Sequence, residues 1–137
     1  MNSSRAFTII ELIFVIVVLG ILAAVALPKF GKTREIADIA KGRGDVATIR
    51  TAIANERQST VILGNPSYPA SLDNTGLFDA VLMYPMAESQ TSGNWDKTAA
   101  NKYDFYVGST PTTFTYNPNT GTFTCTAGTG NCDALVN

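Results

Sequence analysis

Phe7-Thr8-Ile9-Ile10-Glu11-Leu12-Ile13-Phe14-Val15-Ile16-Val17-Val18-Leu19-Gly20-Ile21-Leu22-Ala23-Ala24-Val25-Ala26-Leu27 decides how the chain is read. These 21 residues are apolar apart from Thr8 and Glu11, and Pro28-Lys29 follows them. As a helix they reach about 31 Å, enough to cross the hydrocarbon core of a bilayer. One reading is a secretory signal, because Ala24-Val25-Ala26 supplies a small-residue pattern for cleavage after Ala26. It would release a soluble binding domain. A second is a plain membrane anchor. Glu11 fits neither. A carboxylate inside an apolar span costs about 3 kcal/mol on insertion scales, and such residues are functional by default.

Upstream, Met1-Asn2-Ser3-Ser4-Arg5-Ala6 is a short leader with one basic residue. Joined to Phe7-Thr8-Ile9-Ile10-Glu11-Leu12, it resembles the prepilin signal of the type IV pilin-like family, which includes type IV pilins and type II secretion pseudopilins. The resemblance covers Arg5 to about Phe30. It implies that a prepilin peptidase cuts between Ala6 and Phe7 and methylates the new amine of Phe7. Alanine stands at position 6 where the family usually has glycine. Gly20 and Pro28 match glycine and proline positions common in the family's first helix. The resemblance further implies that Glu11 pairs with the Phe7 ammonium of a neighbouring copy and sets the register of a filament. An ion pair in lipid is far less unfavourable than a lone carboxylate. Gly20, Ala23, Ala24 and Ala26 would let helix backbones approach closely.

The domain reading follows: residues 1–6 a cleaved leader, 7–58 one long helix with 7–27 in the membrane or the filament core, and 59–137 a globular head. The fold class is α+β, pilin-like, with the long helix packed on a small antiparallel sheet. The implied partners are copies of the chain or related pilins, the peptidase and an inner-membrane assembly platform. The precursor would sit in a bacterial inner membrane with its head in the periplasm, then join a periplasmic or extracellular filament. Lys29, Lys32 and Arg34 outweigh Arg5, so charge alone favours the inverted orientation. The head-outside orientation comes from the resemblance. Pro28 removes a helix donor, which predicts a bend or a melted stretch between Ala24 and Lys32, or a helix end at Leu27.

Beyond the apolar segment, Ile36, Ile39, Val46, Ile49 and Ile53 recur at helical spacing, with charged residues on the other face. This amphipathic stem needs a cover, and the C-terminal region is the one candidate within the chain. Gly42-Arg43-Gly44-Asp45 weakens the helix by about 1 kcal/mol per glycine and reads as a flexible point. Its Arg-Gly-Asp triplet reads as part of the helix rather than as an adhesion motif.

In the head, Leu72 to Met86 suggests a short helix ended by Pro85. Lys102–Val107, Thr112–Asn117 and Thr122–Thr126 read as strands. The last two flank Pro118-Asn119-Thr120-Gly121, a hairpin signal. Alternation puts Phe114, Tyr116, Phe123 and Cys125 on one face, with Phe105 and Val107 joining them against Val46, Ile49 and Ile53.

Cys125 and Cys132 read as an extracytoplasmic disulfide; two unpaired thiols are the alternative. Asp96 and Asp104, with Asn94 and Asn101, offer oxygen ligands of the kind calcium takes. Calcium binding would resemble that of some pseudopilins, whose accompanying Asp-Pro-Trp-Gly stretch is missing here. No other metal or cofactor is expected. Trp95, Tyr103 and Tyr106 near Lys97 and Lys102 offer a stacking platform for single-stranded DNA; core packing is the commoner use of such aromatics, and nucleic acid is not an expected partner.

Composition narrows the chemistry. The 137 residues suit one domain, the net charge is −1, and histidine is absent, which removes Ser-His, Cys-His and HExxH chemistry. From Gln58 onward, Lys97 and Lys102 face Asp73, Asp79, Glu88, Asp96, Asp104 and Asp133, a net of −4. No catalytic residue is predicted.

Overall fold

The computed structural model describes residues 7–137; the leader, with Arg5 and Ala6, lies outside them. Helix α1 runs over Ile9–Ile62, 54 residues, longer at its C-terminal end than the stem periodicity indicates. Thr8 starts it. The Thr8 hydroxyl accepts the Glu11 backbone N–H at 3.3 Å, and the Thr8 carbonyl accepts that of Leu12. Thr8-Ile9-Ile10-Glu11 thus has the spacing of a capping box, a side-chain cap for otherwise orphaned N–H groups. The helix continues through Pro28. The segment is therefore neither melted between Ala24 and Lys32 nor ended at Leu27, because proline deletes only one helical hydrogen bond.

Two compact units divide the chain after Arg34. In the first, every described residue from Phe7 to Arg34 is exposed, including the run of Ile, Val and Leu side chains. The second, Glu35–Asn137, contains the rest of α1 and a four-stranded antiparallel sheet in the order β1-β2-β3-β4. The strands are β1 (Trp95–Ala99), β2 (Lys102–Val107), β3 (Thr110–Asn117) and β4 (Thr122–Cys125), followed by a short helix, α2 (Cys132–Val136). The β3–β4 hairpin turns at the expected tetrapeptide, with Gly121 at φ +70° and its N–H on the Asn117 carbonyl. The β1 strand was not legible beforehand, since only Trp95 in it carries a large apolar side chain.

The core lies between the sheet's inner face and the stem. Val46, Ile49 and Ile53 meet Tyr103, Phe105, Val107, Phe114, Tyr116 and Phe123, as alternation requires. Phe114 pairs across the strands with Cys125, and Tyr116 with Phe123. Trp95 is central, within 6 Å of Phe78, Phe105, Phe114 and Phe123 by ring centroid. The stem's stripe is shorter than its sequence pattern. Ile36 is 68% exposed and Ile39 half-buried, while the buried position ahead of Val46 is Gly42. Gly42 is a packing seat inside the helix, not a flexible point.

Residues 72–86 correct another expectation: they form turns, not a helix, closed by a Leu77–Met86 bridge. Carboxylates take the backbone donors a helix would have used. Asp79 accepts the N–H groups of Asn74, Thr75 and Gly76, and Asp73 accepts that of Phe78, which sits at φ +60°.

Candidate functional site

Two regions carry the residues singled out by sequence. The first is the start of α1. Glu11 occupies the helix's first turn, its N–H on Thr8, with Phe7 exposed just before the helix. A carboxylate there also meets the positive end of the helix dipole. The capping role of Thr8 was missed in the sequence, although Thr-x-x-Glu before an apolar run signals it. Downstream, α1 is long and apolar enough to cross a membrane. Gly20 has nothing within 4 Å of where a Cβ would stand, so its surface is open to another helix.

The second region is the head. Cys125 and Cys132 form a disulfide, with Cα atoms 5.8 Å apart. It fixes the chain end, where Leu135 is buried beside Gly42 and the Arg43 guanidinium donates to the Ala134 carbonyl. The Arg-Gly-Asp triplet is helical and engaged. Asp45 binds Lys41 at 2.9 Å and accepts the Trp95 indole N–H at 3.1 Å.

Asp96 and Asp104 stand directly opposite one another on β1 and β2. Asp96 accepts from Gln90, and one oxygen of Asp104, Oδ1, is buried without a hydrogen-bond partner. Asn94 binds Thr91, and Asn101 occupies the β2 hairpin corner at φ +59°. Among the described residues no group of three or more metal-binding side chains forms. The aromatic stacking platform does not form. Trp95 and Tyr103 are buried core residues, and of the three only Tyr106 reaches the surface.

A polar triad running from the buried Tyr103 to the exposed Lys97 anchors the 72–86 loop. The Tyr103 hydroxyl donates to Asp73 at 2.7 Å, and Lys97 pairs with the same carboxylate at 2.9 Å. Burial, then the Asp73 hydrogen bond and charge, pushes the Tyr103 phenol well above its ordinary value. Asp79 is held down at about 2 by the hydrogen bond from the Asn74 backbone, helped by Thr75 and Gly76. Asp73 and Lys97 line a small pocket with Asn74, Thr75, Gly76, Leu77 and Glu88, and there they bind each other.

A helix that leads with a carboxylate, presents an apolar surface and continues into a sheet-covered stem is the architecture of a type IV pilin-like protein, and the proteins this chain is similar to support that family. Residues 1–27 match the family described as the prokaryotic N-terminal methylation motif. The chain is 37% identical to the type IV major alpha-pilin of Moraxella bovis over 79 residues, 56% of this chain and 49% of that one. It is 31% identical to type II secretion system core protein G of Pseudomonas aeruginosa over 96 residues, 70% of this chain and 61% of the relative. A fimbrial protein of Moraxella nonliquefaciens is 37% identical over 59 residues, 43% of this chain and 38% of the relative. The chain thus spans about half the length of the first relative and less than two thirds of the others. No solved structure matches it.

Proposed function

We propose that the chain is a structural, non-enzymatic subunit of a type IV filament-class assembly, either a pilus or a type II secretion pseudopilus. The observation that carries this reading is Glu11, a carboxylate on the first turn of an apolar helix whose described residues are all exposed through Arg34. Cleavage before Phe7 would create an ammonium four residues from Glu11. In a low-dielectric core, Glu11 of one copy and that ammonium of the next compensate each other, and the apolar surfaces bury one another. A prepilin peptidase and an inner-membrane assembly platform are the partners this route needs, with the head on the periplasmic side. The matched methylation motif supports the same route over release after Ala26.

N-terminal sequencing and mass measurement of the mature protein test the processing step. An N-methylated Phe7 is expected, and Leu27 as first residue would establish the secreted domain instead. Glu11→Ala tests the assembly step. The variant should be cut normally and reach the membrane, yet fail to assemble; normal filaments would remove the role given to Glu11.

A further inference from the structure

The exposed side of the stem carries a regular row. Ala40, Ala47 and Ala54 recur every seven residues, and so do Arg43, Arg50 and Arg57, three positions on from each alanine. Steps of three and four keep all six on one helix face, and all six are exposed. The three arginines span about 21 Å along the helix. Each is braced by the head: Arg43 donates to the Ala134 carbonyl, Arg50 Nε to the Phe123 carbonyl at 3.0 Å, and Arg57 stacks on Tyr68 at 4.5 Å from the ring centre. The row therefore runs past α2, β4 and the loop at Tyr68, with alanines as a low floor between fixed guanidiniums. None of the three has a carboxylate within salt-bridge distance; the ion pairs among the described residues are Lys41–Asp45 and Lys97–Asp73.

The β1 side of the sheet carries the complement. Asp96 on β1 faces Asp104 on β2, and Glu88 forms a bridge with Trp95 beside them. Like charges directly across a ladder are destabilising. Nearby cations do not relieve them: Lys97 is committed to Asp73, and Lys102, two residues from Asp104, forms no ion pair. Asp96 accepts from Gln90 and Glu88 from the Lys97 backbone N–H, but among the described residues none of the three carboxylates has an ion-pair partner. Three fixed cations on the stem and three unpaired negative charges on the β1 side of the sheet suit a head-to-tail contact between copies.

We infer that the Arg43-Arg50-Arg57 row of one copy docks the Asp96-Asp104-Glu88 edge of a second copy of this chain. Because the two patches are different surfaces of one head, one on α1 and one on β1 and β2, the contact is heterologous and propagates an open array. Charge complementarity fixes register and rejects misaligned neighbours. This inference rests on the filament reading and names the lateral contact of its heads.

The test uses full-length chains in the native assembly background. Arg50→Glu and Asp96→Lys are each expected to lower filament yield about tenfold or more, since like-charge juxtaposition costs several kcal/mol, at unchanged membrane levels. Co-expressing the two variants should restore filaments, because alternating copies again place opposite charges at every contact. A folding defect would not be rescued in trans. Single variants that assemble like the wild type, or a mixture no better than either variant, would overturn the contact while leaving the filament reading in place. A wild-type chain that forms no filament under the same conditions would overturn that reading instead. Filaments unaffected by Arg50→Glu, with loss of binding to a labelled single-stranded oligonucleotide, would reassign the row to a polyanion and overturn the contact between copies.

Discussion

Gly42 lies directly beneath Phe105: a Cβ built at position 42 would stand 2.5 Å from the Phe105 ring and 2.6 Å from Leu135. Two residues on, Gly44 has nothing within 4 Å. Gly42→Ala should therefore destabilise the chain. Overpacking costs about 1–3 kcal/mol, more than the roughly 1 kcal/mol that alanine gains over glycine in a helix. Gly44→Ala should raise stability by up to about 1 kcal/mol. Thermal unfolding of the two variants in detergent checks this, with shifts of opposite sign expected.

The Tyr103–Asp73 hydrogen bond predicts an alkaline limit. The folded state raises the phenol's pKa above its ordinary 10.0. The neutral phenol thus contributes stability that is present below pH 10 and lost as pH climbs toward the folded value. Tyr103→Phe should cost about 1.5–3 kcal/mol at neutral pH, the range for hydrogen bonds to charged groups. It should also flatten the decline above pH 10. Denaturant melts from pH 7 to 11 check both.

Asp79 predicts the acid counterpart. Its pKa is lowered from 3.8 to about 2 in the fold. The carboxylate's contribution is therefore complete above pH 4 and is lost as pH falls toward 2. Asp79→Asn should remove that part of the acid dependence, read as a smaller difference in denaturation midpoint between pH 5 and pH 2.

The Cys125–Cys132 link closes a short loop at a sequence separation of 7. The chain-entropy relation gives it about 2.5 kcal/mol. A Cys125→Ser, Cys132→Ser double variant should lose that much. Hydrogen exchange should rise first at Leu135 and its neighbours, the segment the disulfide ties beside Gly42.

Much of this was legible in the sequence because the signals were periodic. The apolar run, the helical repeat of Val46, Ile49 and Ile53, and the aromatic–threonine alternation of β3 and β4 each report a burial pattern. The disulfide partners were visible as two close cysteines. What stayed hidden depends on contacts distant in sequence. Trp95-Asp96-Lys97-Thr98-Ala99 lacks a strand-like repeat, and only pairing with β2 makes it a strand. Leu72–Met86 has enough apolar residues for a helix, yet Asp73 and Asp79 capture its N–H groups. At the candidate site, Glu11 stood out at once, whereas the bracing of Arg43, Arg50 and Arg57 by the head requires the folded partners to be in view.

One such brace has a wider consequence. β4 ends the sheet, and a terminal strand with free carbonyls invites strand addition from another molecule. The Arg50 side chain, reaching from the stem, occupies the Phe123 carbonyl. In the proposed filament that carbonyl would be closed to strand addition, so neighbouring heads would meet there through side chains rather than through a backbone ladder.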